Sequence, residues 1–259
     1  MVDGLSIILP AYNEEGNLET AINRALEALP GMVKQFEIIV VNDGSRDGTA
    51  AVSETLVSKH HPQVRLLNHV QNRGYGAALR TGFSAARYDL VFFTDSDNQF
   101  DISELRYFLP MMNQYDIVTG FRVYRYDPVL RCAVSWMYNR LVHVLFRLRV
   151  RDVDCAFKLF RKEAIDKVMP QCNNFFASTE MLARGRKWNF RIAEKGVRHY
   201  PRMAGETSVQ ASDIPRTLRE IAIMWKRIYF PSRREMKALQ AARKVDTNVV
   251  EFLPGTGQA

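Results

Sequence analysis

The sequence has few cysteines, no long apolar segment and no segment near residue 1 that resembles a secretory signal. Its three cysteines, Cys132, Cys155 and Cys172, are too few and too widely spaced for a disulfide framework or a four-cysteine zinc site. We therefore expect buried thiols in a reducing compartment. No window reaches the roughly 18 apolar residues that a membrane-spanning helix needs. Strand-forming residues begin by Leu5 without a basic region or a cleavage site, so we expect a soluble chain without a secretory signal.

Composition and charge set the remaining limits. The 259 residues are 47% hydrophobic and 25% charged, which is enough for one substantial core and excludes a globally disordered chain. The formal charge of +8 at pH 7 indicates an anionic partner such as a nucleotide, a nucleic acid or a membrane surface. The sequence contains no recognised nucleic-acid-binding motif, so we expect no nucleic-acid partner.

Hydrophobic periodicity predicts alternating strands and helices over the first two-thirds of the chain. Strands are expected at 5–9, 36–41, 64–67 and 90–94, and helices at 14–29, 47–59 and 75–87. Strands that are separated by helix-length segments form βαβ units, and hence a mostly parallel sheet with helices on both faces. Ligands of such sheets bind at the carboxyl ends of the strands.

An acidic segment follows the fourth predicted strand. The apolar run Leu90-Val-Phe-Phe-Thr leads directly into Asp95, Asp97 and Gln99. Two carboxylates spaced i, i+2 at a strand end can share one Mg²⁺ or Mn²⁺ that keeps open positions for substrate phosphates. In the alternative interpretation, the two carboxylates only cap the turn into a helix that begins near Ser103.

Polar segments also follow the first two strands. The first strand ends in Pro10-Ala-Tyr-Asn-Glu-Glu15, and the second ends in Asn42-Asp-Gly-Ser-Arg-Asp-Gly48. Each has a structural explanation by itself, because Asn13 and Asp47 can cap helices and Asp43-Gly44 suits a turn. The carboxyl ends of parallel strands meet at one edge of a sheet, so we expect all three polar segments to line one crevice.

These segments, in this order, resemble the successive motifs of family-2 glycosyltransferases of the GT-A fold. The resemblance covers residues 5–208 and includes Asn72-Arg-Gly-Tyr-Gly-Ala-Ala78. The segment Asp154-Cys-Ala-Phe-Lys-Leu-Phe-Arg161 is similar to the dolichyl-phosphate mannose synthase branch, the polyprenyl-phosphate glycosyltransferases. The resemblance implies an α/β protein of the GT-A class, with a Rossmann-like, mostly parallel sheet flanked by helices.

The resemblance also implies roles for individual residues. Metal ligands for Mg²⁺ or Mn²⁺ are expected at Asp95, Asp97 and Gln99. Residues expected to bind the donor nucleotide are Pro10, Ala11, Tyr12, Glu14, Asp43, Asp95, Ser96 and Arg202, of which Arg202 lies near the diphosphate. Residues expected to hold the acceptor phosphate are Arg122, Arg131 and Ser135. The catalytic set is then Asp97, Arg122, Arg131, Ser135 and Arg202.

Two segments depart from the family pattern. The acidic pair that is common after the second strand is here Asn42-Asp43, so only Asp43 can supply a carboxylate to the nucleotide. In the metal motif, Phe100 stands where a His is common.

Gly74 and Gly76 also suggest a dinucleotide-binding turn. However, the third glycine of that motif is absent, and the two glycines lie in the third βα turn of the chain, whereas the motif belongs in the first. We expect these glycines to let the backbone approach the donor nucleotide.

A helix predicted over 129–148 carries the acceptor side. Arg131, Ser135 and Asn139 lie one above the other on one face, at i, i+4 and i+8, and this row can hold a phosphate. In the branch that the chain resembles, the matching Arg and Ser face the lipid phosphate. The alternative is an ordinary solvated face with extended arginines.

A catalytic base is missing from its expected place. Ser178-Thr-Glu-Met181 resembles a segment where many family-2 enzymes have Glu-Asp with the Asp as general base, but Met181 occupies that position. A sugar hydroxyl needs such a base when it attacks. A phosphate monoester has a second pKa of about 6 and is already largely deprotonated at neutral pH. The Met therefore favours a phosphate acceptor.

The C-terminal part has a different character. We expect a catalytic domain, a basic amphipathic segment and a disordered tail, with the bounds 1–210, 211–244 and 245–259. Residues 214–244 contain nine Lys or Arg against two Glu. The apolar residues that line one helical face are Leu218, Ile221, Trp225 and Ile228. This pattern predicts a helix that binds a membrane interface, and the alternative is an ordinary helix docked on the domain.

The sequence thus predicts an inverting, metal-dependent transfer of one sugar from a nucleoside diphosphate to a polyprenyl phosphate. The protein is expected to act as a peripheral protein at the cytoplasmic face of a membrane, and GDP-mannose is the donor that the resemblance favours. One alternative is a family-2 enzyme with another donor, such as UDP-glucose or UDP-GlcNAc, or with a non-lipid acceptor. The other is a non-catalytic, membrane-associated scaffold that binds nucleotide sugars. The sequence leaves open an integral-membrane partner and the oligomeric state.

Overall fold

Strands and helices alternate along the chain, as the hydrophobic periodicity predicts. The structure is a computed structural model that describes the backbone of residues 2–123, 129–201, 214–230 and 249–252, and the side chains of 2–123, 136–201 and 219–230. The strands are β1 (Val2–Ala11), β2 (Val33–Asn42), β3 (Val64–His69), β4 (Leu90–Thr94), β5 (Ile117–Arg122), β6 (Phe157–Arg161), β7 (Ile192–Val197) and β8 (Val249–Phe252). The helices are α1 (Leu18–Ala28), α2 (Thr49–His60), α3 (Tyr75–Ala85), α4 (Val129–Phe146), α5 (Lys162–Val168), α6 (Ala177–Lys187) and α7 (Ile214–Tyr229).

All eight described strands form one sheet, in the order β7-β5-β6-β4-β1-β2-β3-β8. β1 lies between β2 and β4 and is parallel to both, and β2 is parallel to β3. β5 is parallel to β7, whereas β6 runs antiparallel between β4 and β5. β8 is antiparallel to β3 at the edge. The prediction of a mostly parallel, GT-A-like sheet flanked by helices is confirmed.

Successive residues of the central strand pack on opposite faces of the sheet. Leu5, Ile7 and Leu9 belong to one buried cluster, together with the apolar residues of α1 and α2. Ile8 belongs to a second cluster, which includes residues of α3, α4, α6 and α7. This alternation follows from the two-residue repeat of side chains along a strand. The helices therefore cover both faces and leave the polar segments at the strand ends.

Three phenylalanines form a packed layer directly below the acidic segment. The rings of Phe83 and Phe160 lie 5.7 Å and 6.1 Å from the ring of Phe93, centroid to centroid. All three side chains are fully buried. Each such burial stabilises the fold by about 2 kcal/mol relative to an exposed ring. Because Phe93 is two residues before Asp95, this layer gives the acidic segment a rigid support.

The structure also decides what caps the segment after β4. Residues Ile102–Tyr107 form a 3₁₀ helix, and its N-cap is Asp101, whose Oδ1 accepts a hydrogen bond from Ser103 N at 2.9 Å. Asp95 and Asp97 therefore do not cap this helix. The capping alternative is therefore wrong for the helix itself, although Asp97 Oδ1 accepts a hydrogen bond from Gln99 N in the preceding turn.

α7 docks on the domain instead of presenting its apolar stripe to a membrane. Ile221, Met224 and Ile228 are buried in the main core cluster. The ring of Tyr229 stacks on Phe146 of α4, with centroids 6.4 Å apart. The expectation that Ile221 and Ile228 lie in a membrane interface is therefore wrong, because burial in a core and burial in a bilayer favour the same pattern. The side chain of Leu218 lies outside the described residues.

The C-terminal tail contributes the edge strand β8. Val249–Phe252 pairs antiparallel with β3, with Val249 opposite His69 and Phe252 opposite Leu66. The expectation of disorder is wrong for these four residues, and the rest of 245–259 lies outside the described residues. None of the helices within the described ranges is long and apolar enough to cross a bilayer.

Candidate active site

The segment after β4 rests on the segment after β1. Ser96 Oγ donates a hydrogen bond to the carbonyl oxygen of Pro10 at 2.9 Å. Asn98 Nδ2 donates to the carbonyl oxygen of Asn17 at 2.8 Å, and Asn98 itself has a φ of 61°. Both side chains are buried. Two of the three predicted segments therefore meet, as expected for neighbouring parallel strands.

The segments after β1 and β2 are also hydrogen-bonded to each other. Glu15 Oε2 accepts from Gly48 N at 2.9 Å, and Glu15 N donates to Asp47 Oδ2 at 3.2 Å. Asp47 Oδ1 accepts from Thr49 N at 3.1 Å, although the N-cap of α2 is Gly48 and not Asp47 as expected. Asn13 does not cap α1, because the N-cap of that helix is Asn17. The three polar segments thus meet at one edge of the sheet.

Asp43 organises the loop after β3. Its Oδ1 accepts from Arg73 N at 2.9 Å and lies 2.6 Å from His69 Nδ1, and its Oδ2 accepts from Gly74 N at 2.8 Å. His69 Nε2 lies 2.9 Å from Thr81 Oγ1. Burial opposes ionisation of Asp43, but the hydrogen bonds from His69 and the two amides outweigh it and lower its pKa. The sequence analysis missed His69. The role of Asp43 in binding the nucleotide stays a prediction.

The other residues expected at the donor nucleotide lie at the same edge. The carbonyl oxygen of Ala11 accepts from Asp43 N at 2.9 Å. Glu14 Oε2 accepts from Asn17 Nδ2 at 2.7 Å. Tyr12 is 41% exposed, so its ring is accessible to a ligand. The structure therefore brings together Pro10, Ala11, Tyr12, Glu14, Asp43, Asp95 and Ser96, whereas Arg202 lies outside the described residues.

The acidic segment presents oxygen atoms from three side chains. Asp97 is 2% exposed, and its Oδ1 accepts from Gln99 N at 3.1 Å. Gln99 Nε2 donates to the carbonyl oxygen of Tyr200 at 3.1 Å. Asp95 Oδ1 accepts from the phenol of Tyr75 at 3.0 Å. Burial, reinforced by Asp95, raises the pKa of Tyr75 well above its usual value, so the phenol keeps its proton and acts as the donor.

This donor set fits a divalent cation that also binds substrate oxygens. Two carboxylates and one carboxamide supply hard oxygen ligands, and Mg²⁺ characteristically takes one or two carboxylates together with phosphate oxygens and water. Across the part of the chain that the structure describes, no three His, Cys, Asp or Glu side chains gather into a fuller protein cage. The fit therefore depends on the acidic segment and on a ligand that completes the coordination.

Gly74 and Gly76 allow a close approach between α3 and the loop before α6. Gly74 has a φ of +95°, and a Cβ there would lie 2.3 Å from the carbonyl oxygen of Asn173. A Cβ at Gly76 would lie 2.1 Å from the carbonyl oxygen of Cys172. Gly76 N donates to Asn173 O at 2.9 Å. The close neighbour that requires these glycines is therefore a loop of the protein itself.

Glu180 holds that same loop and is fully engaged. Its Oε2 accepts from Gln171 N at 2.8 Å and from Cys172 N at 2.9 Å, and its Oε1 accepts from Arg184 Nε at 2.9 Å. Glu180 is 2% exposed, and Met181 is completely buried in the core. Neither residue is placed to take a proton from a sugar hydroxyl.

On the acceptor side, Arg122 is fixed by a two-point ion pair. Its Nε and Nη2 donate to the two carboxylate oxygens of Asp152 at 2.6 Å and 2.9 Å. Burial opposes the charge of Arg122, but Asp152 outweighs this effect and raises its pKa well above the usual value. The pair places a permanent cation at the carboxyl end of β5.

The loop before β6 is fixed by buried polar groups that the sequence analysis missed. Lys158 Nζ donates to the carbonyl oxygens of Val153, at 3.1 Å, and Cys155, and to Ser178 Oγ at 2.6 Å. Asn139 Oδ1 accepts from Val153 N at 3.1 Å. Asn139, the last member of the predicted phosphate row, therefore anchors this loop to α4. The side chains of Arg131 and Ser135 lie outside the described residues.

A further, half-buried carboxyl, Asp154, lies in the same region. Burial, with Asp152 as the next contribution, raises the pKa of Asp154 to about 6. Thr179 Oγ1 donates to Asp154 Oδ1 at 3.3 Å, and Tyr138 OH lies 2.8 Å from Thr179 Oγ1. The contacts join α4, the loop before β6 and α6. Sequence spacing gives no signal for such a cluster.

The sheet and its three polar segments define an α/β glycosyltransferase fold of the GT-A class. The model of the family described as glycosyl transferase family 2 matches residues 6–169. The chain therefore belongs to glycosyl transferase family 2.

Two curated relatives illustrate this membership. The chain is 31% identical over 209 residues to the undecaprenyl-phosphate 4-deoxy-4-formamido-L-arabinose transferase of Shewanella sediminis, covering 80% of this chain and 62% of that protein. It is 30% identical over 213 residues to the dolichyl-phosphate beta-glucosyltransferase of Dictyostelium discoideum, covering 74% of this chain and 65% of that protein. The chain thus spans less than two thirds of the length of these relatives.

A solved structure shares the fold. Glucosyl-3-phosphoglycerate synthase from Mycobacterium tuberculosis, in complex with Mn²⁺, UDP-glucose and phosphoglyceric acid, superposes with a TM-score of 0.63 at 20% identity. The superposition covers 89% of this chain and 82% of that chain. At this identity the likeness establishes a common architecture.

Proposed function

We propose that this chain transfers one sugar from a nucleoside diphosphate to a polyprenyl phosphate, with inversion at the anomeric carbon. The observation that carries the proposal is the state of Glu180 and Met181. Glu180 is buried and accepts hydrogen bonds from two backbone amides and from Arg184, and Met181 is buried in the core. A sugar-hydroxyl acceptor needs a base at this place, whereas a phosphate with a second pKa of about 6 does not. Both curated relatives are named for polyprenyl-phosphate acceptors.

In the proposed reaction, a phosphate oxygen of the acceptor attacks the anomeric carbon. The new bond from carbon to phosphate oxygen forms as the bond to the donor diphosphate breaks, and its electron pair leaves with the nucleoside diphosphate. Negative charge therefore grows on the leaving group, and Arg202 is proposed to stabilise it. A divalent cation held by Asp95, Asp97 and Gln99 would supply Lewis-acid stabilisation of the same charge.

The acceptor phosphate is proposed to bind at the carboxyl end of β5. A guanidinium has five N–H donors, and the ion pair with Asp152 uses two of those of Arg122. The remaining three suit a phosphate, and Asp152 keeps the guanidinium in place. Arg131 and Ser135 belong to α4, whose later residue Asn139 is tied to the neighbouring loop. We propose that their side chains complete the phosphate contacts.

The donor is proposed to bind between the segments after β1, β2 and β4, with Tyr12 and Asp43 at the nucleotide. GDP-mannose is the donor that the motif resemblance favours. The two curated relatives are named for glucose and for a formamido-arabinose, and the solved structure contains UDP-glucose. The sugar and the nucleobase are therefore variables of the test.

The protein is proposed to act as a peripheral protein at the cytoplasmic face of a membrane, where its lipid acceptor presents the phosphate. Since Ile221 and Ile228 of α7 are in the core, the contact needs exposed side chains. Trp136, Met137 and Val144 on α4 are 68%, 58% and 64% exposed, and Phe230 after α7 is 65% exposed. Exposed aromatic and basic residues are the composition that suits an anionic lipid interface.

The decisive experiment measures which acceptor takes the sugar. The protein is incubated with GDP- and UDP-sugars, with Mg²⁺ or Mn²⁺, and with a short polyprenyl phosphate, the matching polyprenol or 3-phosphoglycerate. We expect a glycolipid from the polyprenyl phosphate and none from the polyprenol. Transfer to phosphoglycerate alone would identify a soluble acceptor, the second candidate, which the shared fold with the phosphoglycerate enzyme favours. Nucleotide-sugar binding without any transfer would identify the scaffold.

A further inference from the structure

Residues 73–75, at the turn into α3, join the segments after β2 and β4. The amides of Arg73 and Gly74 donate to Asp43, the carboxylate after β2. The phenol of the next residue, Tyr75, donates to Oδ1 of Asp95, the carboxylate after β4, at 3.0 Å. Three consecutive residues therefore contact both carboxylates, which come from different βα units.

The position of Tyr75 is fixed on both sides. Gly74 N is held by Asp43 at 2.8 Å, and Gly76 N is held by the carbonyl oxygen of Asn173 at 2.9 Å. The loop that carries Asn173 is in turn held by Arg80, whose Nη1 donates to Cys172 O at 2.9 Å and whose Nη2 donates to Asn173 Oδ1 at 2.5 Å. These contacts fix the backbone on both sides of Tyr75, and from this backbone the phenol reaches Asp95.

A buried phenol needs a hydrogen-bond partner in any protein, so the bond alone has an ordinary explanation. The identity of the partner indicates a role in metal binding as well, because Asp95 belongs to the set of oxygen ligands that fits a divalent cation. Hydrogen bonds to a metal ligand orient it, and their removal typically weakens metal binding by about 10- to 100-fold. The bond to Oδ1 restrains rotation of the carboxylate of Asp95.

We infer that Tyr75 is a positioning residue, which holds Asp95 in the orientation needed to bind the divalent cation. The inference rests on the proposed metal-dependent function. Through residues 73–75, it also places the cation in a fixed relation to the nucleotide held beside Asp43.

The test compares the Tyr75→Phe variant with the unmodified protein. Free Mn²⁺ is measured by electron paramagnetic resonance during a titration, and GDP and UDP affinities are measured by calorimetry with Mn²⁺ and with a chelator. We expect the Mn²⁺ dissociation constant to rise about 10-fold in Tyr75→Phe. Nucleotide affinity in chelator should change by less than about twofold, because the Asp43 contacts are made by backbone amides. A merely structural role would weaken both measurements together.

Tyr138→Phe is the matched control, because it also removes a buried phenol that hydrogen-bonds at 2.8 Å, here to Thr179. Its Mn²⁺ affinity should equal that of the unmodified protein. An unmodified protein that binds no Mn²⁺ would overturn the metal-dependent function itself. Unchanged Mn²⁺ affinity in Tyr75→Phe, or equal weakening in both variants, would overturn only the role of Tyr75.

Discussion

The donor half of the site and the acceptor half are built from different interactions. The donor half, the segments after β1, β2 and β4, is joined mainly by hydrogen bonds such as those of Ser96 with Pro10 and of Glu15 with Gly48. The acceptor half, the end of β5 with the loop before β6 and α6, is built on buried charges. Its main features are the pair of Arg122 with Asp152, the buried Lys158, and the pair of Glu180 with Arg184.

This difference separates activity from stability. Breaking a buried ion pair leaves an uncompensated charge and costs roughly 3–5 kcal/mol, whereas a typical hydrogen bond contributes about 1 kcal/mol. Substitutions in the donor half should therefore change catalysis and leave the fold intact. Substitutions in the acceptor half should change stability as well.

The largest effect is expected for Asp97→Ala. Loss of one oxygen ligand from the acidic segment should lower the transfer rate by about 10³-fold, because a bound cation contributes several kcal/mol of charge stabilisation. The melting temperature without metal should change little. Asp101→Ala is the control, since it removes only a helix cap worth about 1 kcal/mol and should keep its activity. Near-normal turnover of Asp97→Ala at saturating Mn²⁺ would place the metal elsewhere.

Glu180→Gln, in the acceptor half, is expected to lower stability and to leave turnover nearly unchanged. An amide cannot accept from two backbone N–H groups and an arginine as the carboxylate does, so the free energy of unfolding should fall by about 3 kcal/mol. The turnover number per folded molecule should stay within about threefold, because the proposed phosphate acceptor needs no base. Chemical denaturation and initial rates measure the two quantities. A large loss of turnover at unchanged stability would identify Glu180 as the base.

Asp154→Asn should reveal the cost of a buried charge as a function of pH. Burial raises the pKa of Asp154 from its usual range near 4 to about 6, so the folded state binds the proton more tightly. Its stabilising contribution is present below about pH 4 and is lost as the pH rises to about 6. The variant should therefore match the unmodified protein at pH 4 and exceed its stability by about 3 kcal/mol above pH 7. A difference that is constant with pH would contradict this assignment.

Arg122→Lys keeps the charge but removes the planar two-point contact. The KM for polyprenyl phosphate should rise about 10-fold, and the KM for the donor should stay unchanged. Initial rates at varied lipid and saturating donor measure the effect. A selective change in the donor KM would move Arg122 to the donor half and remove the basis of the comparison.

The smallest effect is expected at the membrane contact. Trp136→Ser should lower binding to anionic vesicles a few-fold, and the binding of the unmodified protein should fall as salt rises, because the Debye length is only about 3 Å at 1 M salt. Trp188→Ser is the matched control, since Trp188 is 56% exposed and follows α6 instead of lying on α4. Equal loss in both variants would mean that α4 makes no specific contact.

The sequence predicted the donor half well and the acceptor half poorly, for a physical reason. Motifs after β1, β2 and β4 are contiguous, and parallel topology alone brings them to one edge. Contacts of the acceptor half such as Arg122 with Asp152 and Lys158 with Ser178 join residues 30 and 20 positions apart and leave no periodic signal. The stripe on α7 was misassigned because periodicity reports that a face is buried and not what covers it. The roles of Arg131, Ser135 and Arg202 stay predictions.

The place of β6 in the sheet has a consequence for how the protein is made. β6 separates β4 from β5, although it follows both in the chain, and Leu90 pairs with Arg161 and Ile117 with Phe160. Because the ribosome delivers the amino end first, β4 presents an unpaired edge until residues 157–161 have emerged. The strands that hold the donor segments can therefore associate while the acceptor side is still being synthesised. The nascent chain therefore passes through a partial sheet, and its edge at β4 stays exposed until β6 inserts between β4 and β5.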